Sequence, residues 1–282
     1  VYVIKVGGAL GTTFSSVCND IHALTSRGET VVVVHGGSAE ANALGQQLGH
    51  PPRYLTSSTG MRSRYTDAAT LDVLTLAMVG RVKPLIVAQL AGLGVRAIGL
   101  TGIDGVLVSA EKTPPVRAIL DDRLRVVRDD LTGRIASINS ELLDLLINGG
   151  YVPVVSPPVI DLNNGPLNID ADRLAAAIAV ALRADQLLIL SDVPGLLRDI
   201  NDPASLVRSI PAGAIDEYME LARGRMRVKL QAARDAINGR VARVVLGDGR
   251  GSSPVLAALD GAGTTLEATP YAKGIHSSTT QG

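Results

Sequence analysis

Residues 1–8 read Val1-Tyr2-Val3-Ile4-Lys5-Val6-Gly7-Gly8, and residues 31–38 read Val31-Val32-Val33-Val34-His35-Gly36-Gly37-Ser38. Each is a short apolar run closed by two glycines, and each leads into a segment with helical patterning. Runs of this kind, rich in Val and Ile, suit strands buried on both faces of a parallel sheet. Glycines directly after such a strand let the backbone turn tightly and approach a ligand closely. Working outward, further candidate strands fall at Val95–Leu100, Val152–Val155, Leu187–Leu190 and Ala242–Leu246, with the first two at Tyr2–Val6 and Thr30–Val34. Helical patterns lie between them at Ser15–Ser26, Ala39–Leu48, Ala68–Leu90, Ser140–Asn148, Ala171–Arg183 and Arg225–Asn238. This alternation predicts βαβ units in an α/β fold, a three-layer αβα sandwich around a mainly parallel central sheet.

The remaining segments interrupt that rhythm. Pro84 sits inside the Ala68–Leu90 pattern and predicts a kink or break there. Pro51–Arg64 and Ser109–Gly133 read as irregular or hairpin-like, with Thr132-Gly133 as a turn. Residues 269–282 are rich in Ser, Thr and Gly without an apolar period and read as a disordered tail or an appended remnant.

Composition narrows the class. With 282 residues and 46% hydrophobic content, the chain can build one large α/β domain or two fused lobes. Aromatics make up 2%, so the core must be aliphatic. A formal net charge of zero gives no general attraction to nucleic acid. The single cysteine, Cys18, excludes an internal disulfide and a CxxC metal cluster, and it reads as a small core residue. That usage is consistent with a reducing, cytoplasmic setting. No apolar run reaches the length of a membrane span, and Val1–Val6 does not read as a signal peptide.

Five places carry residues suited to chemistry. At Lys5-Val6-Gly7-Gly8, backbone N–H groups can face a phosphate while Lys5 neutralises its charge; the alternative is a tight turn with an incidental Lys. No Walker A loop occurs. His35-Gly36-Gly37 repeats the logic, and two such turns on neighbouring strands would meet at the C-terminal edge of the sheet, where ligands bind in open α/β folds. His35 can be a base or a brace for the loop, and the brace is the reading favoured wherever the acceptor is a group already ionised at neutral pH, as a carboxylate is, since such a group needs no base. Arg62 and Arg64 precede the Thr66-Asp67 helix cap, and one of them can grip a carboxylate with paired hydrogen bonds. Asn168 and Asp172, four apart, can share a helix face, while Asp170 or Asp172 caps that helix or Asp172 orients lysines. Gly224–Lys229 is a basic helix entry, either meeting phosphates or facing solvent.

The order and spacing of Lys5-Val-Gly-Gly, His35-Gly-Gly, Arg64-Tyr-Thr-Asp67, Thr101-Gly-Ile-Asp-Gly105, Asn168-Ile-Asp-Ala-Asp172, Ser191-Asp-Val-Pro-Gly195 and Gly224 to Lys229 strongly resemble the amino acid kinase family, in its N-acetylglutamate kinase branch. Within that branch, His35–Glu40, Gly49–Tyr54 and Thr56–Asp67 resemble the kinases acting on 2-aminoadipate or glutamate attached to an amino-group carrier protein. A free-standing N-acetyl-L-glutamate 5-kinase is the alternative. The resemblance runs from Val1 to about Leu266. It implies ATP-dependent phosphorylation of a side-chain carboxylate, with Mg²⁺ carried by the nucleotide and no metal site on the protein. It implies that Lys5 and Lys229 flank the transferring phosphoryl group and that Asp172 organises them. Gly7, Gly8, Gly36 and Gly37 would supply backbone N–H groups, Arg64 and Asn168 would hold the acceptor, and Ser191, Asp192, Gly195 and Leu196 would bind the nucleotide. It further implies a homodimer, an acceptor-binding lobe over residues 1–170 and an ATP-binding lobe over 171–268. Relatives usually carry Asn-Lys where this chain has Lys83-Pro84, and Asp170 replaces an Asn common in acetylglutamate kinases.

Overall fold

The computed structural model describes residues 1–7, 14–57, 60 and 62–267. The expectations for Gly8 and for the tail beyond 268 fall outside them. Among the described residues the aliphatic runs form one eight-stranded sheet. From edge to edge its strands are Ser209–Pro211, Thr264–Glu267, Arg243–Asp248, Gln186–Ser191, Tyr2–Val6, Val31–His35, Val152–Ser156 and Ala97–Thr101. Every neighbouring pair is parallel except Arg243–Asp248 with Thr264–Glu267. The first strand is central, with Val31–His35 on one side and Gln186–Ser191 on the other. Strand order therefore switches direction beside Lys5 and Gly7, the place where open sheets leave a crevice.

Side chains alternate across the sheet and split the core in two. Val3, Val32, Val34, Leu187 and Ile189 pack with Leu174, Ile178, Leu230 and Ala233 of the helices Ala171–Ala181 and Gly224–Asn238. Ile4, Val6, Val33, Leu188 and Leu190 pack on the other face with Ile21, Ile86 and Val255, from the helices Ser15–Ser26, Lys83–Gly92 and Pro254–Leu259. The predicted αβα sandwich is thus present. Each such side chain removed from water contributes about 1.5–3 kcal/mol before the entropy of ordering is counted. Alternation has a functional consequence: Lys5 shares the face of Val3, and His35 shares the face of Val33.

The two irregular segments do form hairpins. Arg62–Arg64, Tyr54–Ser57, Val116–Leu120 and Arg123–Val127 make one four-stranded sheet, and Gly165–Leu167, Val159–Asp161, Val108–Lys112 and Gly133–Ile138 make another. Thr132-Gly133 is not the expected turn. Gly133 opens a strand, paired with Lys112, and a side chain there would lie 2.8 Å from Leu167 Cδ1. Pro84 does not break its helix either. The helical course runs from Ala68 to Gly92, and the ladder widens to a π-helix over Leu76–Val82 just before the proline. A wider turn accommodates the missing N–H and the bulk of the ring while the helical course continues.

Candidate active site

The strand alternation aims Lys5 at the starts of two helices. Asp170 caps the Ala171–Ala181 helix, accepting from the N–H groups of Asp172 (2.8 Å) and Arg173 (3.3 Å). That settles which acid is the cap and leaves the Asp172 carboxylate free to point inward. Asn168 and Asp172 do not share a helix face: the helix begins at Ala171, and Asn168 instead pairs with Thr132 in an isolated β-bridge.

Asp172 joins the two lysines. Lys5 Nζ lies 2.6 Å from Oδ1, and Lys229 Nζ donates to Oδ2 at 3.0 Å. Each carboxylate oxygen of Asp172 thus faces one ammonium group. All three residues are under 9% exposed. Burial alone would raise the Asp172 pKa, but Lys5 and Lys229 outweigh it and hold the carboxyl at about 2. Burial and the neighbouring Lys5 lower the Lys229 pKa, against the pull of Asp172. The arrangement presents two ammonium groups fixed from behind by one carboxylate at the C-terminal edge of the sheet.

The backbone around them is close-fitting. A Cβ on Gly7 would stand 2.9 Å from the Leu190 carbonyl oxygen, and one on Gly37 would stand 2.7 Å from Met78 Cγ. At Gly7 the neighbour is backbone, so only glycine fits; at Gly37 a side chain would have to displace Met78. In parallel register Val6 lies beside His35 and Leu190, which sets Gly7, Gly36 and Ser191 in one row. Beyond Ser191, Asp192 is exposed and Gly195 has φ 148°, against Thr264. Leu196 is fully buried; its N–H bonds Thr264 Oγ1 at 2.8 Å and its carbonyl accepts from Val207. With its N–H and carbonyl each holding a partner, Leu196 frames this loop.

His35 is on the opposite face from the lysine pair. Its Nδ1 lies 2.9 Å from the Gly36 oxygen, the contact of a neutral ring that braces the glycine turn. Burial, reinforced by the charges of Lys83 and Lys5 and only partly offset by the Gly36 bond, lowers its pKa to about 4. Lys83 is buried as well; its Nζ donates to the Leu100 oxygen at 2.6 Å and its stem crosses Gly99. Burial lowers its pKa to about 8, against the attraction of Asp104. Cys18 is buried, and burial raises its pKa to about 11, as suits an unreactive core thiol.

Arg64 is the half-buried arginine of the pair, and Arg62 is exposed with its guanidinium 4.0 Å from the Tyr54 ring centre. Arg64 Nη2 donates to Asn42 Oδ1 at 2.6 Å, so the helix Ser38–Gln47 orients it. Asn42 carries no sequence signal for this task, since it reads as an ordinary polar helix position. Asp67 caps the Ala68–Thr75 helix through Thr70 N (2.9 Å), as expected of that motif. Among the described residues, no group of three or more His, Cys, Asp or Glu side chains is placed to hold a metal, and no helix is long and apolar enough to cross a membrane.

An open α/β sandwich with two buried lysines and glycine turns at its switch point defines a class of phosphate-handling proteins. Residues 1–248 match the model of the amino acid kinase family. The chain belongs to that family. It is 43% identical over 264 residues to the LysW-aminoadipate kinase of Deinococcus radiodurans, covering 94% of this chain and 90% of that protein. It is 35% identical over 257 residues to the acetylglutamate kinase of Symbiobacterium thermophilum, covering 88% and 84%. Among solved structures it resembles smu.665 from Streptococcus mutans UA159, with a TM-score of 0.77 at 22% identity over 95% of this chain and 98% of that one.

Proposed function

We propose that the chain transfers the terminal phosphoryl group of Mg-ATP to the side-chain carboxylate of 2-aminoadipate or glutamate, held through its α-amino group on a small amino-group carrier protein. The observation that carries this reading is the convergence of Lys5 and Lys229 on Asp172 beside the glycine turns. Acceptor and triphosphate are both anionic, so fixed positive charge and alignment supply most of the rate. A carboxylate oxygen attacks the γ-phosphorus and forms the new P–O bond. The bond from phosphorus to the β–γ bridging oxygen breaks, and its electron pair leaves with ADP. Lys5 and Lys229 stabilise charge on the transferring group from opposite sides, and no base is needed. Gly7, Gly36 and Gly37 bring backbone N–H groups close. Mg²⁺, bound to phosphate oxygens, lowers the charge of the nucleotide; the glycine cradle and paired ammoniums suit a ligand that brings its own metal. Arg64 and Asn168 hold the acceptor's carboxylate and its amide-masked nitrogen. Masking the amine prevents cyclisation of the acyl phosphate. On this reading residues 1–170 bind the acceptor and 171–268 bind ATP.

Two surfaces support the finer claims. One face of the sheet that carries Arg64 also presents Arg62, Arg117, Ile119, Leu124 and Val126, with Leu124 72% exposed. A broad basic and apolar face continuous with the acceptor arginine fits a protein-borne substrate better than a free amino acid. Along the helical course from Ala68, the positions Leu76, Gly80, Pro84, Leu85 and Ala88 form an exposed ridge suited to a homodimer contact. A coupled ADP-release assay tests the acceptor. Turnover should be found with carrier-linked 2-aminoadipate or glutamate, and turnover of free N-acetyl-L-glutamate at a matching rate overturns the carrier reading in favour of an acetylglutamate kinase.

A further inference from the structure

The segment Asp130–Gly133 bonds to both sides of the proposed acceptor pocket. On one side it takes both backbone groups of the buried Thr66: Asp130 Oδ1 accepts from Thr66 N at 2.8 Å, and Leu131 N donates to Thr66 O at 2.7 Å. On the other side it takes both backbone groups of Asn168: Asn168 N donates to Leu131 O at 2.8 Å, and Gly133 N donates to Asn168 O at 2.9 Å. The second oxygen of Asp130 accepts from Thr132 Oγ1 at 2.5 Å, and the Tyr65 hydroxyl donates to Asp129 at 2.6 Å. Thr66 is two residues from Arg64. The segment is therefore a strap of fixed length between the arginine hairpin and Asn168.

Nothing else in the strap equals Asp130 in consequence. Its other ties to these two residues are backbone bonds, which side-chain changes leave in place. Asp130 alone is a side chain that satisfies a buried main-chain donor, and removal would orphan the Thr66 N–H. From this geometry we infer that Asp130 is a positioning residue for the acceptor, setting the spacing of Arg64 and Asn168 through a strap that touches neither reacting group. The inference rests on the reading that Arg64 and Asn168 hold the acceptor.

The test compares Asp130→Ala, Asp130→Asn, Arg64→Ala and the Asp130→Ala/Arg64→Ala double variant. The varied substrate is whichever of carrier-linked 2-aminoadipate and N-acetyl-L-glutamate the wild-type chain phosphorylates. Asp130→Ala should raise the acceptor KM by about tenfold or more, as expected for a misplaced binding group, while the ATP KM stays within about twofold. Asp130→Asn keeps an acceptor for Thr66 N and should restore most of the loss. Because Asp130 acts through Arg64, the double variant should be little worse than Arg64→Ala alone. Hydrogen–deuterium exchange should rise in Asp130→Ala over both 64–70 and 165–170, with residues 1–6 unchanged. If Arg64→Ala raises the acceptor KM but Asp130→Ala does not, or if the two losses are additive, the strap inference is overturned. If Arg64→Ala leaves the acceptor KM unchanged, the acceptor reading itself fails. If exchange rises over 64–70 only, the strap does not link the two sides.

Discussion

Replacing Asp172 by Asn removes one negative charge from between two buried ammonium groups while keeping the shape of the side chain. The two contacts, at 2.6 and 3.0 Å, are the only ion pairs of Lys5 and Lys229 among the described residues. At an effective dielectric of about 20, each is about 6 kcal/mol of Coulomb attraction. Most of that offsets the desolvation of three charges, so the expected net loss of stability is about 3–5 kcal/mol, the range for breaking a buried pair. In a chain of this size that lowers Tm by roughly 6–20 °C. The catalytic effect should be separable. Without the carboxylate both lysines lose their anchor and repel each other, so charge stabilisation at the phosphoryl group fails, and kcat should fall about 100- to 1,000-fold. The acceptor KM should stay within about threefold, since Arg64 and Asn168 are untouched. The assay is coupled ADP release below the variant's melting range, beside a thermal melt. A variant with lowered Tm and kcat within about threefold of wild type would refute the reasoning, making Asp172 a structural tie only.

Three other outcomes follow from the same geometry. Arg64→Lys keeps the charge but loses the paired donors and the bond to Asn42, so the acceptor KM should rise about tenfold with the ATP KM unchanged, read from the same assay. His35 has a folded pKa of about 4 against 6.5 in an unfolded chain, so its stabilisation is complete above pH 6.5 and is lost as pH falls towards 4. Urea titrations should show about 3 kcal/mol of this loss in wild type and not in His35→Asn, with no activity limb from His35 between pH 6 and 8. Lys83 has a folded pKa of about 8 against 10.5, so its buried charge costs about 3 kcal/mol at neutral pH, a cost relieved as pH rises from 8 to 10.5. Lys83→Met should be at least as stable as wild type at pH 7, and its advantage should shrink by pH 10 in the same titrations.

The central strands are legible because local pattern decides them, whereas the pairing of Lys5 with Lys229 comes only from the family resemblance, since a basic helix entry at Gly224–Lys229 reads equally well as a solvated face. An aliphatic run with a single Lys before two glycines fixes the face and the sheet edge of Lys5. What the sequence left ambiguous depended on residues far away. Asp170 and Asp172 are equally good caps on paper, and only the packing of Lys5 and Lys229 decides between them. Spacing alone allows Asn168 a place on the helix face of Asp172, and it is blind to the bridge from Asn168 to Thr132. Pro84 predicts a kink or break by its usual effect in an α-helix, and a π-helix, which no local pattern announces, precedes it here. Asn42, Lys83 and Asp130 carried no local signal, since each acts on a partner at least 17 residues away.

A crystal structure with ADP, Mg²⁺, a planar metal-fluoride mimic of the phosphoryl group and a bound acceptor tests the convergence of the two lysines most directly. The account predicts Lys5 Nζ and Lys229 Nζ each within about 3 Å of the mimic's equatorial atoms, on opposite sides, both still tied to Asp172. A mimic bound with either ammonium turned away from it, and the charge met by other side chains, would contradict the account.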